Sequence, residues 1–401
     1  MENKTLKNSW AVAFTVASVW FGTHVGGGFA SGNQVIGYFA QYGSTTALIY
    51  PLLAMGLLSI VMHIILKFAR LNGFTNYKDT FAALYPHPKM EILFEIFYIV
   101  IILAAVAAAV AGAGEVMANF LGITYAGAAK VLCNLIIIAI LVLLCIFGVK
   151  VVVAASSVLS VAIMIITGAI VVAGIVAARN DSVARLLHEF SLEPVAFTTR
   201  PVYALWRGVL VYAAFQCVSI PPMTAASAEI GTTGTKRACI LGWIMNGVAL
   251  ALSAFVLSKW YPLLKALQNA GVEGFKNATG IPNQTMLTII GLRWLLVIFS
   301  VLLFCAFVST CVTLIFTMVQ RFQGKLFPKV LKAEKLRSIL VAVIVIAICF
   351  SISLLGLTTI TSKLYGYDGY YALAIIVLPA FIWGIPKVRR LEAERKLAEG
   401  S

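Results

Sequence analysis

The chain has 401 residues, 61% of them hydrophobic and 11% charged, with a formal net charge of +15. A soluble domain is about half apolar and about a quarter charged, so this surplus excludes an aqueous fold and points to a lipid bilayer. The positive charge then bears on membrane topology rather than on nucleic-acid binding.

Apolar runs predict ten spans, at 10–40, 45–66, 91–120, 127–147, 151–177, 202–228, 238–258, 284–319, 338–356 and 370–386. The fold class is therefore all-α and polytopic, with 1–390 as one transmembrane domain and 391–401 as a tail. The first run lacks a small-residue cleavage site and reads as a retained helix, not a signal peptide. Midway along it stands Gly22-Thr23-His24-Val25-Gly26-Gly27-Gly28-Phe29-Ala30-Ser31-Gly32, five glycines in eleven residues. Each interior glycine costs a helix about 1 kcal/mol relative to alanine, so this cluster predicts local unwinding. Freed backbone is tolerated at membrane depth only where it is buried in protein or lines a watery cavity. A packing seam of Gly-x-x-x-Gly type is the alternative.

The third run carries Glu115 near its far end, and ionisable groups in spans are functional candidates by default. The connection at 178–201 holds Leu186 and Leu187 at helical spacing, as 259–283 holds Leu263 and Leu267, which predicts short amphipathic helices. The sixth run contains Gln216-Cys217-Val218-Ser219-Ile220-Pro221-Pro222, where two prolines remove donors and Pro221 disfavours a helical Ile220. Arg207 lies about two turns before that break, so Glu115 and Arg207 are candidates for an outer gate. Two broken helices at corresponding positions of two halves are the best sequence pointer to a transporter site, which is expected to sit in a cavity shared by the two breaks. Backbone at Gly26, Gly27 and Gly28 and the side chains of Thr23, His24, Phe29, Phe215, Gln216 and Ser219 are the candidate solute contacts.

Both ends of ten spans fall on one side, and twenty of the thirty Lys and Arg residues share it, clustered at 67–89, 321–337 and 387–396. The positive-inside rule makes that side cytoplasmic. Cys133, Cys145, Cys217, Cys239, Cys305 and Cys311 are scattered without CxxC pairs, which argues against a disulfide framework or a zinc site.

Gly28-Phe29-Ala30-Ser31-Gly32 followed by Asn33-Gln34, on a glycine-rich first helix, resembles the bacterial YkvI-like membrane proteins of the amino acid-polyamine-cation superfamily. The resemblance implies the leucine-transporter fold, two inverted five-helix repeats at 1–190 and 195–390, in a bacterial inner membrane. It also implies a sodium site between the first and eighth helices, with carbonyls from Gly22 and Val25 and the eighth-helix pattern Ala306, Ser309, Thr310. Oxygen ligands suit such a hard cation. His24 departs from the leucine-transporter pattern, which has a small residue there, and keeps proton coupling through His24 and Glu115 open.

The function expected is secondary transport of a small polar solute, an amino acid or related zwitterion or anion, coupled to sodium. No resident cofactor and no nucleic-acid partner is implied. There is no G-x-x-x-x-G-K-[ST] motif for ATP, no H-E-x-x-H and no G-x-S-x-G, and His24, His63, His87 and His188 are far apart. An enzyme is disfavoured on those grounds; a channel or a solute sensor remains as an alternative.

Overall fold

A computed structural model describes residues 9–147, 149–322 and 333–399, with the side chains of 145–157 and 160 not described. Cys145, part of the basic cluster at 321–337 and the last residues of the tail lie outside that description. All regular structure among the described residues is helical. Among the described residues nine helices are long and apolar enough to cross a membrane. The first span makes the tenth, broken into the shorter pieces Trp10–His24, Gly27–Ala30 and Asn33–Tyr38.

The later spans are Ser44–Asn72, Pro88–Phe120, Gly127–Phe147, Val149–Arg179, Pro201–Glu229, Thr232–Asn269, Arg293–Phe322, Glu334–Ser353 and Leu357–Ala398. The sequence sets several of these ends. Ser9 caps the first helix through a hydrogen bond from the Val12 amide, and Gly73 closes the second span with φ +72, a conformation that favours glycine.

Packing divides the helices into two groups. The first, second, sixth and seventh spans pack on one another, with the second lying along the seventh; the third, fourth, eighth and ninth form the other group. The fifth span packs on the eighth and the tenth on the third, so exchanging the first five spans for the last five maps this pattern onto itself. An odd number of spans per half gives the two halves opposite directions across the membrane.

Three expected boundaries need correction. The run at 284–319 divides into Pro282–Ile290 and the spanning Arg293–Phe322, because Gly291 adopts φ +80 and ends the first piece. Leu263 and Leu267 do not form a separate surface helix. They continue the seventh span past Pro262 and are buried. The tenth span starts at Leu357 rather than 370: Lys363, Asp368 and two glycines lower its apolarity, yet Thr361, Tyr365 and Asp368 are buried against protein. Leu186 and Leu187 do lie on a short helix, Ser182–Glu189, as expected.

Candidate solute and ion site

The glycine-rich segment unwinds where expected. Val25 has φ −79 and ψ 56, and Gly26 is extended at φ −86 and ψ −179, before the chain re-enters a helix at Gly27. The Val25 amide donates to the Phe21 carbonyl (2.8 Å), and the Gly26 amide turns back to the His24 carbonyl (2.8 Å). The helical ladder therefore stops at Phe21, and the carbonyls of Gly22, Thr23 and Val25 fall outside it. A methyl group added at Gly22 or at Gly26 would meet nothing within 4 Å, so this stretch of backbone borders open space.

The sixth span is interrupted in a milder way. Its ladder passes from a π turn at Trp206–Val211 through α to a 3-10 turn at Gln216–Ser219, then α again from Ile220. Ile220 keeps φ −62 and ψ −47, so the expected departure of Ile220 from the helical region is corrected. Pro221 and Pro222 occupy the first turn of the new α segment, where a missing N–H leaves no bond unmade. The 3-10 turn, not extended backbone, is what the two prolines produce.

Side chains fill the space between the interruptions, which corrects the expectation of a shared cavity. His24 Nδ1 pairs with Asn246 Oδ1 of the seventh span (2.8 Å), and Nε2 with the Tyr212 hydroxyl of the sixth (3.0 Å). With Nδ1 protonated the histidine donates to Asn246 and accepts from Tyr212, so a neutral imidazole satisfies both partners. Asn246 is fixed in turn by donating to the Gly242 carbonyl (2.7 Å). Phe29 lies 5.3 Å from the His24 ring, while Phe215 packs between Tyr38, Tyr212 and Tyr365. Phe307 of the eighth span fills the remaining gap: a methyl on Gly27 of the first span or on Gly112 of the third would overlap its ring.

Among the other candidates, Gln216 and Ser219 are buried here, and the Ser219 hydroxyl has no partner among the described residues. Gly28 lies against the Gln34 amide. Thr23 does not join them, because its side chain is exposed and its hydroxyl donates to the Val19 carbonyl one turn back (2.8 Å). Ala306 is buried on the eighth span, which packs on the Gly27–Ala30 helix. Ser309 donates to the Ala306 carbonyl (3.1 Å), which uses its proton and leaves its oxygen lone pairs free; Thr310 is half-buried one residue on.

The expected pairing of Glu115 with Arg207 is corrected. Glu115 Oε1 accepts from the Asn277 amide (2.5 Å) in the loop before the eighth span. Arg207 instead donates to the carbonyls of Ser362 (2.7 Å) and Gly37 (3.4 Å) and lies over the Tyr38 ring, 4.7 Å from its centroid. Each residue thus ties a different element to the face opposite the chain ends. Asn33 does most there: it donates to the carbonyls of Thr279 and Gly280 and to the Thr358 hydroxyl, and accepts from Thr361 (2.5 Å). A cavity of about 40 Å³ remains beside Asn33, Gln34, Thr279 and Thr358, room for about one water.

The face that bears the chain ends is closed by charge. Glu95 of the third span pairs with Arg321 at the end of the eighth and with Lys78 (3.0 Å), and accepts from the Tyr77 hydroxyl (3.1 Å). Arg321 also lies over the rings of Tyr77 and Tyr98. Sequence reasoning missed Tyr212, Asn246, Phe307, Asn33, Glu95 and Arg321. A lone amide in an apolar run was a usable signal for Asn246, and an acid and a base on two neighbouring spans was one for Glu95 and Arg321.

No family model matches the chain, and no curated protein matches it. Solved structures do. A crystal structure of MhsT in complex with L-phenylalanine superposes over 98% of this chain and 99% of that one, with a TM-score of 0.54 and 14% identity. The chain has the leucine-transporter fold. A manganese transporter of Eremococcus coleocola, in complex with an aromatic bis-isothiourea compound, gives a TM-score of 0.52 at 15% identity over 92% of this chain and 78% of that one. At such identities the likeness carries the leucine-transporter fold, with its interrupted first and sixth helices, and leaves the cargo to be argued from the residues.

Proposed function

We propose that this protein is a sodium-coupled secondary transporter of a small polar organic solute, an amino acid or a related zwitterion or anion. The observation that carries the reading is the unwound backbone at Val25–Gly26, midway along the first span and opposite the 3-10 turn of the sixth span. Released carbonyls favour a cation, and the amides opening the next helix favour a carboxylate. Of the two similar solved structures named above, one is a manganese transporter and the other, MhsT, holds L-phenylalanine, which supports a carrier over an enzyme. The YkvI-like resemblance belongs to this proposal and rests on the Gly28–Gln34 motif. So do the two repeats at 1–190 and 195–390 and the cytoplasmic placement of both chain ends in a bacterial inner membrane.

Alternating access follows from the two closures. The Asn33 network shuts one face and the Glu95–Arg321 pair shuts the other. Opening either one while the other holds exposes the breaks to one side at a time, and a solute replaces the ring contacts of His24 and Phe29. The first, second, sixth and seventh spans move together against the third, fourth, eighth and ninth. A proton-coupled carrier is the second reading, favoured by His24 at the break itself.

Uptake by proteoliposomes under a sodium gradient, compared with a pH gradient, tests the coupling. In Ser309→Ala with Thr310→Ala, sodium stimulation of uptake is expected to fall at least about tenfold, the effect of about 1.4 kcal/mol lost at the ion site. Unchanged sodium dependence would remove the ion site from these residues. Solute binding without uptake in any gradient identifies a sensor instead.

A further inference from the structure

The first half of the tenth span holds a carboxylate that neither the carrier site nor the two closures use. Asp368 lies eleven residues from the start of Leu357–Ala398, about 17 Å along the helix at about 1.5 Å per residue. It is 4% exposed, and its Oδ2 has no hydrogen-bond partner among the described residues. A carboxylate so placed sheds its water without compensation, which is tolerated when a cation or a proton neutralises it.

The surroundings decide between those two. The titratable groups facing Asp368 are the Cys217 thiol of the sixth span and the Tyr365 and Tyr371 phenols of its own helix. Tyr212 of the sixth span and Cys311 of the eighth stand behind Tyr365, and Tyr85 bonds the Ile375 carbonyl two turns on. The third span, packed on this helix, has no titratable residue between Tyr98 and Glu115. Arg207 donates to the Ser362 carbonyl and lies beside Gly366, six and two residues before Asp368 and so on other sides of the helix, and Lys363 of the same helix is exposed. No group of three or more acid, histidine or cysteine side chains stands together among the described residues to hold a metal ion. A metal cation would have to draw the rest of its oxygen shell from carbonyls and hydroxyls, whereas a proton needs one oxygen.

The helix is also irregular here. π turns at Ile360–Leu364 and Leu373–Val377 flank the Asp368 segment, and Gly369 lets the backbone approach Val211 of the sixth span so closely that a Cβ would lie 2.7 Å from its carbonyl oxygen. Single π turns inside α-helices concentrate at functional sites, where they permit local shifts of register.

We propose that Asp368 is a proton-binding site, loaded in the closed state and emptied when movement of the tenth span against the sixth brings water to Oδ2. On loading, one proton delivered by hydronium bonds to one carboxylate oxygen, a water molecule is released and the net charge of the protein rises by one; emptying reverses this. Proton binding stands on the geometry alone, and its use as a coupling step rests on the transport reading above.

Infrared difference spectroscopy of the full chain in lipid, stepped between acid and alkaline buffer, reads buried carboxyl groups directly. The wild type is expected to show a protonated buried carboxyl that is lost in Asp368→Asn, shifted in frequency in Asp368→Glu and retained in Glu115→Gln. A spectrum identical in Asp368→Asn and wild type overturns the proposal. Should the asparagine variant fail to fold, the glutamate variant decides: a displaced band supports the site and an undisplaced one overturns it. In proteoliposomes, Asp368→Asn is expected to keep solute exchange while its net uptake loses all response to a pH gradient; a retained response contradicts the coupling role. Absence of any uptake by the wild type strikes the transport reading and leaves the spectroscopic result standing.

Discussion

Gly27→Ala is expected to destabilise the protein by about 1–3 kcal/mol and to abolish solute uptake, although it adds one methyl group. The methyl lands on the Phe307 ring at Cδ1 and Cε1; the tip of the ring also abuts Gly112 and the side chain is 1% exposed, so retreat towards the third span is blocked. Either the eighth span withdraws from the first-helix break or the break moves towards His24, and both alter the site. The same change one residue earlier, Gly26→Ala, meets nothing within 4 Å, and its backbone at φ −86 suits any L-residue. It is expected to leave thermal stability nearly unchanged. Phe307→Ala combined with Gly27→Ala should cost less than the two single changes added together, since it removes the ring atoms that the methyl meets. Thermal unfolding in detergent across these variants reads the difference. Equal effects at Gly26 and Gly27 would contradict the packing described.

Arg321→Ala is expected to cost about 3 kcal/mol and to shift the protein towards the state open on the face of the chain ends. Glu95, with its side chain 8% exposed, would keep only the better solvated Lys78 and the Tyr77 hydroxyl. Breaking a buried pair from one side costs about 3–5 kcal/mol, and the lower end applies where a second cation remains. The guanidinium also lies over Tyr77 and Tyr98, so its stem and plane contribute packing that alanine loses. Replacing both Glu95 and Arg321 by leucine should restore stability towards the wild type but leave the face poorly closed, because no uncompensated charge remains and no pair holds the spans together. A double substitution as unstable as Arg321→Ala would mean that the pair is not what closes this face.

The fold was largely legible because lipid imposes two simple demands: long apolar runs and satisfied backbone. The runs gave ten spans, and the glycine cluster located the break at Val25–Gly26, since five glycines remove the helix's local preference. The prolines after Ser219 were misleading in degree. Proline forbids a donor but is at home in the first turn of a new helix segment, so the sixth span tightens to a 3-10 turn without leaving helical geometry. The tenth span was cut short for a related reason: hydropathy scores residues by their lipid preference, and Tyr365, Asp368 and the glycines beside them face protein.

The site was legible in its backbone and poorly legible in its partners. Gly26 and His24 stood out by local pattern, but Tyr212 and Asn246 reach His24 from 188 and 222 residues away. No local spacing encodes such pairings. Glu115 and Arg207 were rightly conspicuous as charges in spans, yet charge alone does not choose a partner. An asparagine amide and two carbonyls satisfy them separately, and the Glu95–Arg321 pair on the opposite face was hidden at the ends of two long runs.

The central claim is that the backbone at Gly26 faces each side of the membrane in turn. A cysteine at position 26 fits the space there, and its modification by a membrane-impermeant thiol reagent, in a background with the native cysteines replaced, measures that exposure directly. A carrier predicts labelling from either side of an oriented membrane, with reagent on one side slowed by solute supplied on the other. Labelling from one side only under every gradient, or from neither, would contradict it.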